Sequence, residues 1–348
     1  MRIVVVGKSG AGKSSLINYI FGQEARETGA GRAVTERGFY EVTGRIHHEP
    51  VTLIDSFGIE AEKSERWTDD WERFIARHSY ATRPAHWVHA VLYAVSAQGG
   101  RLEPFEIAFL RTIRASGLPV IIALTKSDGM TEKEVTTLLD TIERELAVEQ
   151  EASELFICPV VSVAYENVFG ESVETSGRDA LIQTMVRAAR TMVETQLPRR
   201  IVREVKKEML YEAACIRQAA TPKEAKARQQ HALQTFVDAT YEPIVMDELH
   251  AFFKEAPSAV GRGEEKEPFH WSLDTFRQLT LDQTPEFVWH AAKEMFGALQ
   301  QLNPVMKKDR YADEYVTETS AFLADSHAAI EEAVRLALTE QKEEEVDR

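Results

Sequence analysis

The 348-residue sequence predicts an α/β domain, built as a mostly parallel sheet with one antiparallel edge strand and helices on both faces, followed by an all-α region. Three observations carry this expectation. Short β-branched runs alternate with helix-period stretches as far as Gln196, a glycine-rich turn joins the first run to the first helix, and strand signals fade after Pro198. The expected domains are therefore residues 1–197 and 198–348.

Ile3–Val6 opens the chain as an apolar strand, and Ser14–Phe21 follows as a helix that Gly22 stops. Phe39–Ile46 and Val51–Ile54 are joined by a short connection at His47–Pro50, which makes them an antiparallel hairpin at the sheet edge. Val88–Val95, Pro119–Leu124 and Phe156–Val161 are the remaining strands. Glu103–Ala115, Glu132–Leu146 and Asp179–Gln196 are the helices around them. Trp67 and Trp71, at i,i+4 spacing, are expected to face a core. His86 and His89 flank Trp87-Val88 as the polar ends of a strand entry rather than as metal ligands.

Beyond Pro198, Ile201, Val205, Met209 and Ile216 recur at near-helical spacing, as do Phe322, Ile330, Val334 and Leu338. Breaks are expected at Ala220–Pro222, across Ala256–Pro268 and near Asn303–Pro304. Pro257, Gly261 and Gly263, with the charge run Glu264–Glu267, mark residues 256–268 as a candidate mobile loop or linker.

The charge balance excludes several functions. There are 41 basic and 56 acidic residues, for a net charge of −15. It is shared almost equally, with 21 basic against 28 acidic residues before Pro198 and 20 against 28 from it onward. No half is built to neutralise a phosphate backbone, so nucleic acid is not expected as a partner. The cluster Arg199, Arg200, Arg203, Lys206 and Lys207 reads as the solvated face of a helix. No run approaches the roughly 18 apolar residues that cross a bilayer, so membrane association is not expected either. Two cysteines, Cys158 and Cys215, and no apolar leader point to the cytoplasm.

Four loops carry the chemistry. Gly7-Lys8-Ser9-Gly10-Ala11-Gly12-Lys13-Ser14 fits G-x-x-x-x-G-K-[ST] between a strand and a helix. Its backbone N–H groups, from Gly7, Ser9, Gly10, Ala11, Gly12, Lys13, Ser14 and Ser15, can surround phosphates at the positive end of a helix. Lys13 adds a charge at the outer phosphates, and the Ser14 hydroxyl is a Mg²⁺ ligand. In Asp55-Ser56-Phe57-Gly58, Asp55 ends a strand where it can hold Mg²⁺ through water, and Gly58 can offer its N–H to a γ-phosphate. Thr125-Lys126-Ser127-Asp128 places a carboxylate to accept the guanine N1–H and exocyclic amine, with the Lys126 stem along the base. Ser162-Val163-Ala164 can close the base pocket with a backbone N–H.

In this order the four loops resemble the translation-factor-related class of P-loop GTPases. Gly7–Gly22 resembles septin-like and immunity-associated GTPases, whereas Gly31–Gly58 and Arg101–Asp128 resemble the Era-like bacterial GTPases. The resemblance covers roughly the first 190 residues and does not reach the helical region. It implies GTP or GDP with Mg²⁺ as cofactors, slow hydrolysis of GTP, and a switch whose helical region engages a protein effector or a second copy. A membrane-remodelling or assembly GTPase, and a GTP-binding interaction protein with little hydrolysis, stay open as alternatives.

The resemblance also assigns a Mg²⁺-sensing threonine to the first switch loop, for which Thr35 is the candidate and Thr28 the competitor. Relatives carry glutamine after the D-x-x-G glycine to orient water. Here Ile59 stands in that place, so the catalytic group is unassigned. Arg37 and Arg32 are candidate arginine fingers, and Glu60 and Glu62 are candidate water-orienting groups. Gly10 occupies the position of the asparagine that holds a potassium ion in some relatives, which argues against potassium activation.

Overall fold

Ile3, Val4, Val5 and Val6 are wholly buried, and so are Ala90–Ala94 and Val120–Leu124. Apolar runs hidden on both faces belong to the centre of a parallel sheet covered by helices. In a computed structural model they form a seven-stranded sheet in the order β2-β3-β4-β1-β5-β6-β7. The strands are β1 (Arg2–Gly7), β2 (Arg32–Glu36), β3 (Phe39–Ile46), β4 (Glu49–Ser56), β5 (Ala90–Ser96), β6 (Val120–Thr125) and β7 (Leu155–Val160). The structure describes residues 1–22, 32–36, 38–46, 49–58, 64–79, 81–99, 102–129, 131–146, 155–166, 172–255 and 304–346. The candidate loop 256–268 lies outside them, as do Thr28, Arg37, Ile59, Glu60 and Glu62.

β1 pairs in parallel with β4 and β5, and β5, β6 and β7 continue in parallel. β3 runs antiparallel to β4, as the hairpin reading requires. It is not the edge, however. β2 pairs antiparallel on its outer side. Arg-Ala-Val-Thr-Glu has no apolar alternation of its own, so its strand character comes from the pairing edge that β3 offers.

Helix α1 (Lys13–Phe21) packs over β1, β3 and β4. α2 (Ser64–His78), α3 (Pro104–Ala115) and α4 (Glu132–Leu146) follow in the chain. Trp71 and Phe74 of α2 are buried, and Phe74 stacks on Phe39 of β3 at 4.1 Å. Trp67 meets Phe109 of α3 edge-on at 4.3 Å. The two tryptophans thus build an aromatic core under α2, and such pairs contribute about 0.5–1.5 kcal/mol beyond their buried area. A short ribbon, β8 (Tyr165–Glu166) with β9 (Ser172–Val173), stands apart from the main sheet.

Of the described residues, Met1–Val193 form one compact unit, and Glu194–Glu255 with 304–346 form a second, helical one. α5 (Arg178–Gln218) runs through Pro198 without a break, although the sequence places a helix end there. An interior proline costs about 3 kcal/mol or more. Burial of Leu197, Ile201, Val205, Met209, Ala213 and Ile216 offsets it along one face. α6 (Pro222–Thr235) starts at the expected break, with Thr221 accepting from the Glu224 N–H at 3.2 Å. A π-helical segment (Phe236–Tyr241) leads into α7 (Glu242–Glu255), and α8 (Pro304–Val346) packs against α6. Phe236, Tyr241, Phe252 and Tyr315 are the large buried side chains among the described residues of this unit. In the basic cluster, Arg200 is paired with Glu248 whereas Lys207 is largely exposed.

His89 departs from its reading as a polar strand end. It is fully buried, with its N–H donating to Arg2 O at 2.9 Å and its Nδ1 accepting from the Arg2 N–H at 3.2 Å. Desolvation, followed by the positive N-terminus, pushes its pKa down to about 3. The unfolded chain therefore takes up a proton near pH 6.5 that the folded chain refuses until about pH 3. Stability should fall as the pH drops through that window, by at most about 1.4 kcal/mol per pH unit from this group. His89→Gln keeps an acceptor and removes the titration, so urea midpoints measured from pH 7 to pH 4 should decline less steeply than in the wild type. An identical slope would remove His89 as a cause.

Candidate functional site

Parallel strands deliver their C-terminal ends to one edge of a sheet, which is where α/β proteins hold ligands. Here β1 ends in Gly7, β4 in Asp55-Ser56, and β6 in Thr125. The register pairs Val5 with Asp55 and Ser96 with Thr125, so the ends are level across the sheet. Gly7 must be glycine. Its φ is 145°, and a Cβ there would lie 2.4 Å from the Ala94 carbonyl oxygen.

From Gly7 the chain turns through Lys8, Ser9 and Gly10, with Ala11 N–H donating to Lys8 O at 3.1 Å. Gly12 caps α1 in the left-handed region, with no side-chain cap and no acidic residue in the first turn. The helix N-terminus therefore presents its backbone N–H groups without a capping side chain or an acidic residue of its own first turn. Ser14 is exposed and Ser15 half-buried at that end. Lys13 is buried, and its Nζ donates to the carbonyls of Gly7 at 2.9 Å and Lys8 at 3.1 Å. Desolvation lowers its pKa, and the nearby charge of Asp55 works against that shift. Asp55 is itself buried at the end of β4.

Two contacts join the other loops to this one. Gly58 lies on the loop so closely that a Cβ there would sit 2.8 Å from both Cα and N of Ser9. Thr125 Oγ1 donates to Ala11 O at 2.7 Å and lies 3.2 Å from Val95 O. The hydroxyl that ends β6 thus holds the glycine-rich loop against β5. Next in the chain, Lys126 has φ 56°, the left-handed region, at a cost of about 1–2 kcal/mol for a residue with a Cβ. The strained residue turns the chain into Ser127–Gly129, a single 3₁₀ turn beside β7 that presents Asp128 to solvent.

After β7, Val161 bridges to Ser176, Ser162 is half-buried, and Val163 and Ala164 are exposed. The hydroxyl of Tyr165, at the start of β8, donates to Asp128 Oδ2. Sequence reading missed Tyr165, whose one signal is an aromatic residue directly after the Ser-Val-Ala triplet. It also missed Glu103, whose carboxylate meets Lys8 Nζ at 3.2 Å. Thr35 and Arg32 lie on β2, but their side chains are outside the described residues, as are Arg37 and Ile59 entirely.

Among the described residues no three His, Cys, Asp or Glu side chains gather as a metal cluster. What the site offers a cation is the Ser14 hydroxyl and the Asp55 carboxylate. These hard oxygen donors suit Mg²⁺, which commonly binds through one or two carboxylates and the phosphates of its ligand. The donor set fits that ion.

A family model described as Septin matches residues 1–176. Neuronal-specific septin-3 of Rattus norvegicus is 26% identical over 169 residues, which cover 42% of this chain and 47% of the relative. Septin-1 of Mus musculus is 28% identical over 169 residues, covering 42% of this chain and 46% of the relative. The chain spans about half the length of the curated relatives it matches. A crystal structure described as a probable GTP-binding protein engB is 19% identical, with a TM-score of 0.38, and covers 55% of this chain and 100% of that one.

Thr125→Val keeps the volume and removes the donor, leaving the buried Ala11 carbonyl short of its partner. Stability should fall by about 1–3 kcal/mol, read from the urea midpoint. A midpoint equal to the wild type would mean that the hydroxyl does not hold the loop.

Proposed function

The chain belongs to the septin family of GTPases over residues 1–176, and on that premise we propose that it is a Mg²⁺-dependent switch that binds GTP and hydrolyses it slowly to GDP and phosphate. The observation that carries this reading is the meeting of three loops at one place: Lys13 over the glycine-rich turn, Gly58 upon Ser9, and Thr125 against Ala11.

In this reading the backbone N–H groups of Gly7, Ser9, Gly10, Ala11, Gly12, Lys13, Ser14 and Ser15 enclose the phosphates. Lys13 exchanges the Gly7 and Lys8 carbonyls for phosphate oxygens, which return more to an ammonium than neutral carbonyls do. Gly58 offers its N–H to the γ-phosphate, and its lack of a Cβ is what lets it approach the loop. Ser14 and Thr35 hold the metal directly and Asp55 through water. Bound Mg²⁺ supplies neutralisation of the charge on the outer phosphates. Thr125, Lys126 and Asp128 select guanine, with Ser162, Val163 and Ala164 closing the base pocket.

Residues 1–197 serve as the nucleotide module and 198–348 as its output. The Era-like character of 31–58 and 101–128 and a cytoplasmic setting belong to the same proposal. Among the described residues no helix is long and apolar enough to cross a membrane. Self-association is a second reading, favoured by family membership and by Phe57. That ring is 55% exposed beside Gly58 and meets Tyr40 edge-on at 5.5 Å.

Phosphate release under multiple turnover, with Mg²⁺ and over a range of protein concentrations, tests the reading. Wild type should turn over slowly, and Lys13→Ala should abolish release and weaken GTP binding about 100-fold or more. Tight GTP binding by Lys13→Ala would refute the phosphate-loop assignment.

A further inference from the structure

Asp128 is the middle residue of the 3₁₀ turn after β6, and Tyr165 begins the ribbon after β7, so the two stand close to neighbouring strand ends although 37 positions separate them. Tyr165 is no freely rotating surface group. Its backbone is paired with Val173, and the ribbon is closed at its base by two hydrogen bonds between Val161 and Ser176, of 3.1 and 3.0 Å. Val163 beside it is 54% exposed and Tyr165 43% exposed, so no packing of the ring into a core explains where the side chain sits. Among the described residues the phenol hydroxyl has one acceptor, the Oδ2 of Asp128.

We propose that Tyr165 is a built-in competitor for the base-recognition carboxylate: its hydroxyl bonds Asp128 and must yield to guanine, which weakens guanine-nucleotide binding and eases release. The inference rests on the reading of Asp128 as the guanine acceptor. Guanine brings two parallel N–H donors, which engage both carboxylate oxygens. The phenol covers one of them and must leave, or share its lone pairs, when the base arrives.

A water molecule could also occupy Oδ2, but a donor tethered on a paired ribbon returns with a high effective concentration. The apparent affinity is then reduced by the fraction of molecules in which the phenol stands away. The hydrogen bond to Asp128 also raises the Tyr165 pKa, so the hydroxyl keeps its proton and remains a donor at neutral pH. Because the competition is for the acceptor that guanine uses, it lowers affinity for every guanine nucleotide alike and leaves ADP, which makes no bond to Asp128, unaffected.

Tyr165→Phe removes the hydroxyl and keeps the ring. With a fluorescent GDP analogue and the full chain, binding should tighten about threefold or more, with slower release and unchanged binding of ADP. Unchanged or weaker GDP binding overturns the proposal, since a ring that stacks on the base would give one or the other. Asp128→Asn, titrated with GDP and xanthosine diphosphate, separates the two levels. If it leaves GDP preferred as before, the base-site reading itself fails. If it shifts preference toward xanthosine diphosphate while Tyr165→Phe binds GDP as the wild type does, only the role of Tyr165 is lost.

Discussion

The hydrogen bond from Thr125 Oγ1 to Ala11 O joins the strand end that leads to Asp128 to the loop that precedes Lys13. Everything else about the site depends on that join. The glycine-rich loop has few side chains with which to fix itself, and its conformation is set by what its backbone touches. β5 touches it at Gly7, where a Cβ would meet the Ala94 carbonyl, and β6 touches it at Ala11 through Thr125. With both in place, the separation between the glycine-rich loop and Asp128 is a property of the sheet and not of a flexible loop. A site built on strand ends inherits the stiffness of a core in which β1, β5 and β6 are buried on both faces.

The charges of this site are held by the protein itself. Lys13 is clasped by the Gly7 and Lys8 carbonyls, and Asp128 accepts from Tyr165. A buried ammonium without partners is costly, and the two carbonyls that clasp Lys13 satisfy it. A ligand then gains only the difference between its own contacts and those it displaces. Phosphate oxygens exceed neutral carbonyls as partners for an ammonium. In the proposed reading the paired donors of guanine displace a single phenol at Asp128, so the base end is where release is tuned.

Much of this was legible in the sequence because the decisive features are local. Gly7–Ser14, Asp55–Gly58 and Thr125–Asp128 each sit directly after an apolar run, and strand followed by motif is a short-range pattern. The breaks at Ala220–Pro222 and Asn303–Pro304 were legible for the same reason, since a proline at a helix start is a local signal. What was hidden is nonlocal. Pro198 suggests a stop, and only the buried face from Leu197 to Ile216 shows why α5 continues. Arg32–Glu36 becomes a strand because β3 offers an edge. Tyr165 meets Asp128 through two strands of two residues each, too short for any periodicity to announce. His89 is polar by type and buried by position, because its ring accepts a backbone N–H from Arg2.

The acidity of the sequence before Pro198 matches that from Pro198 onward, so charge alone sets neither part to a distinct partner. The identity of the base is the point on which the account turns. Calorimetric titration of the full chain with GDP and with ADP, in the presence of Mg²⁺, tests it directly. The account predicts saturable one-to-one binding of GDP, with ADP weaker by about 100-fold or more, because adenine presents an acceptor where Asp128 needs a donor. Equal affinity for the two nucleotides, or binding of neither, would contradict it.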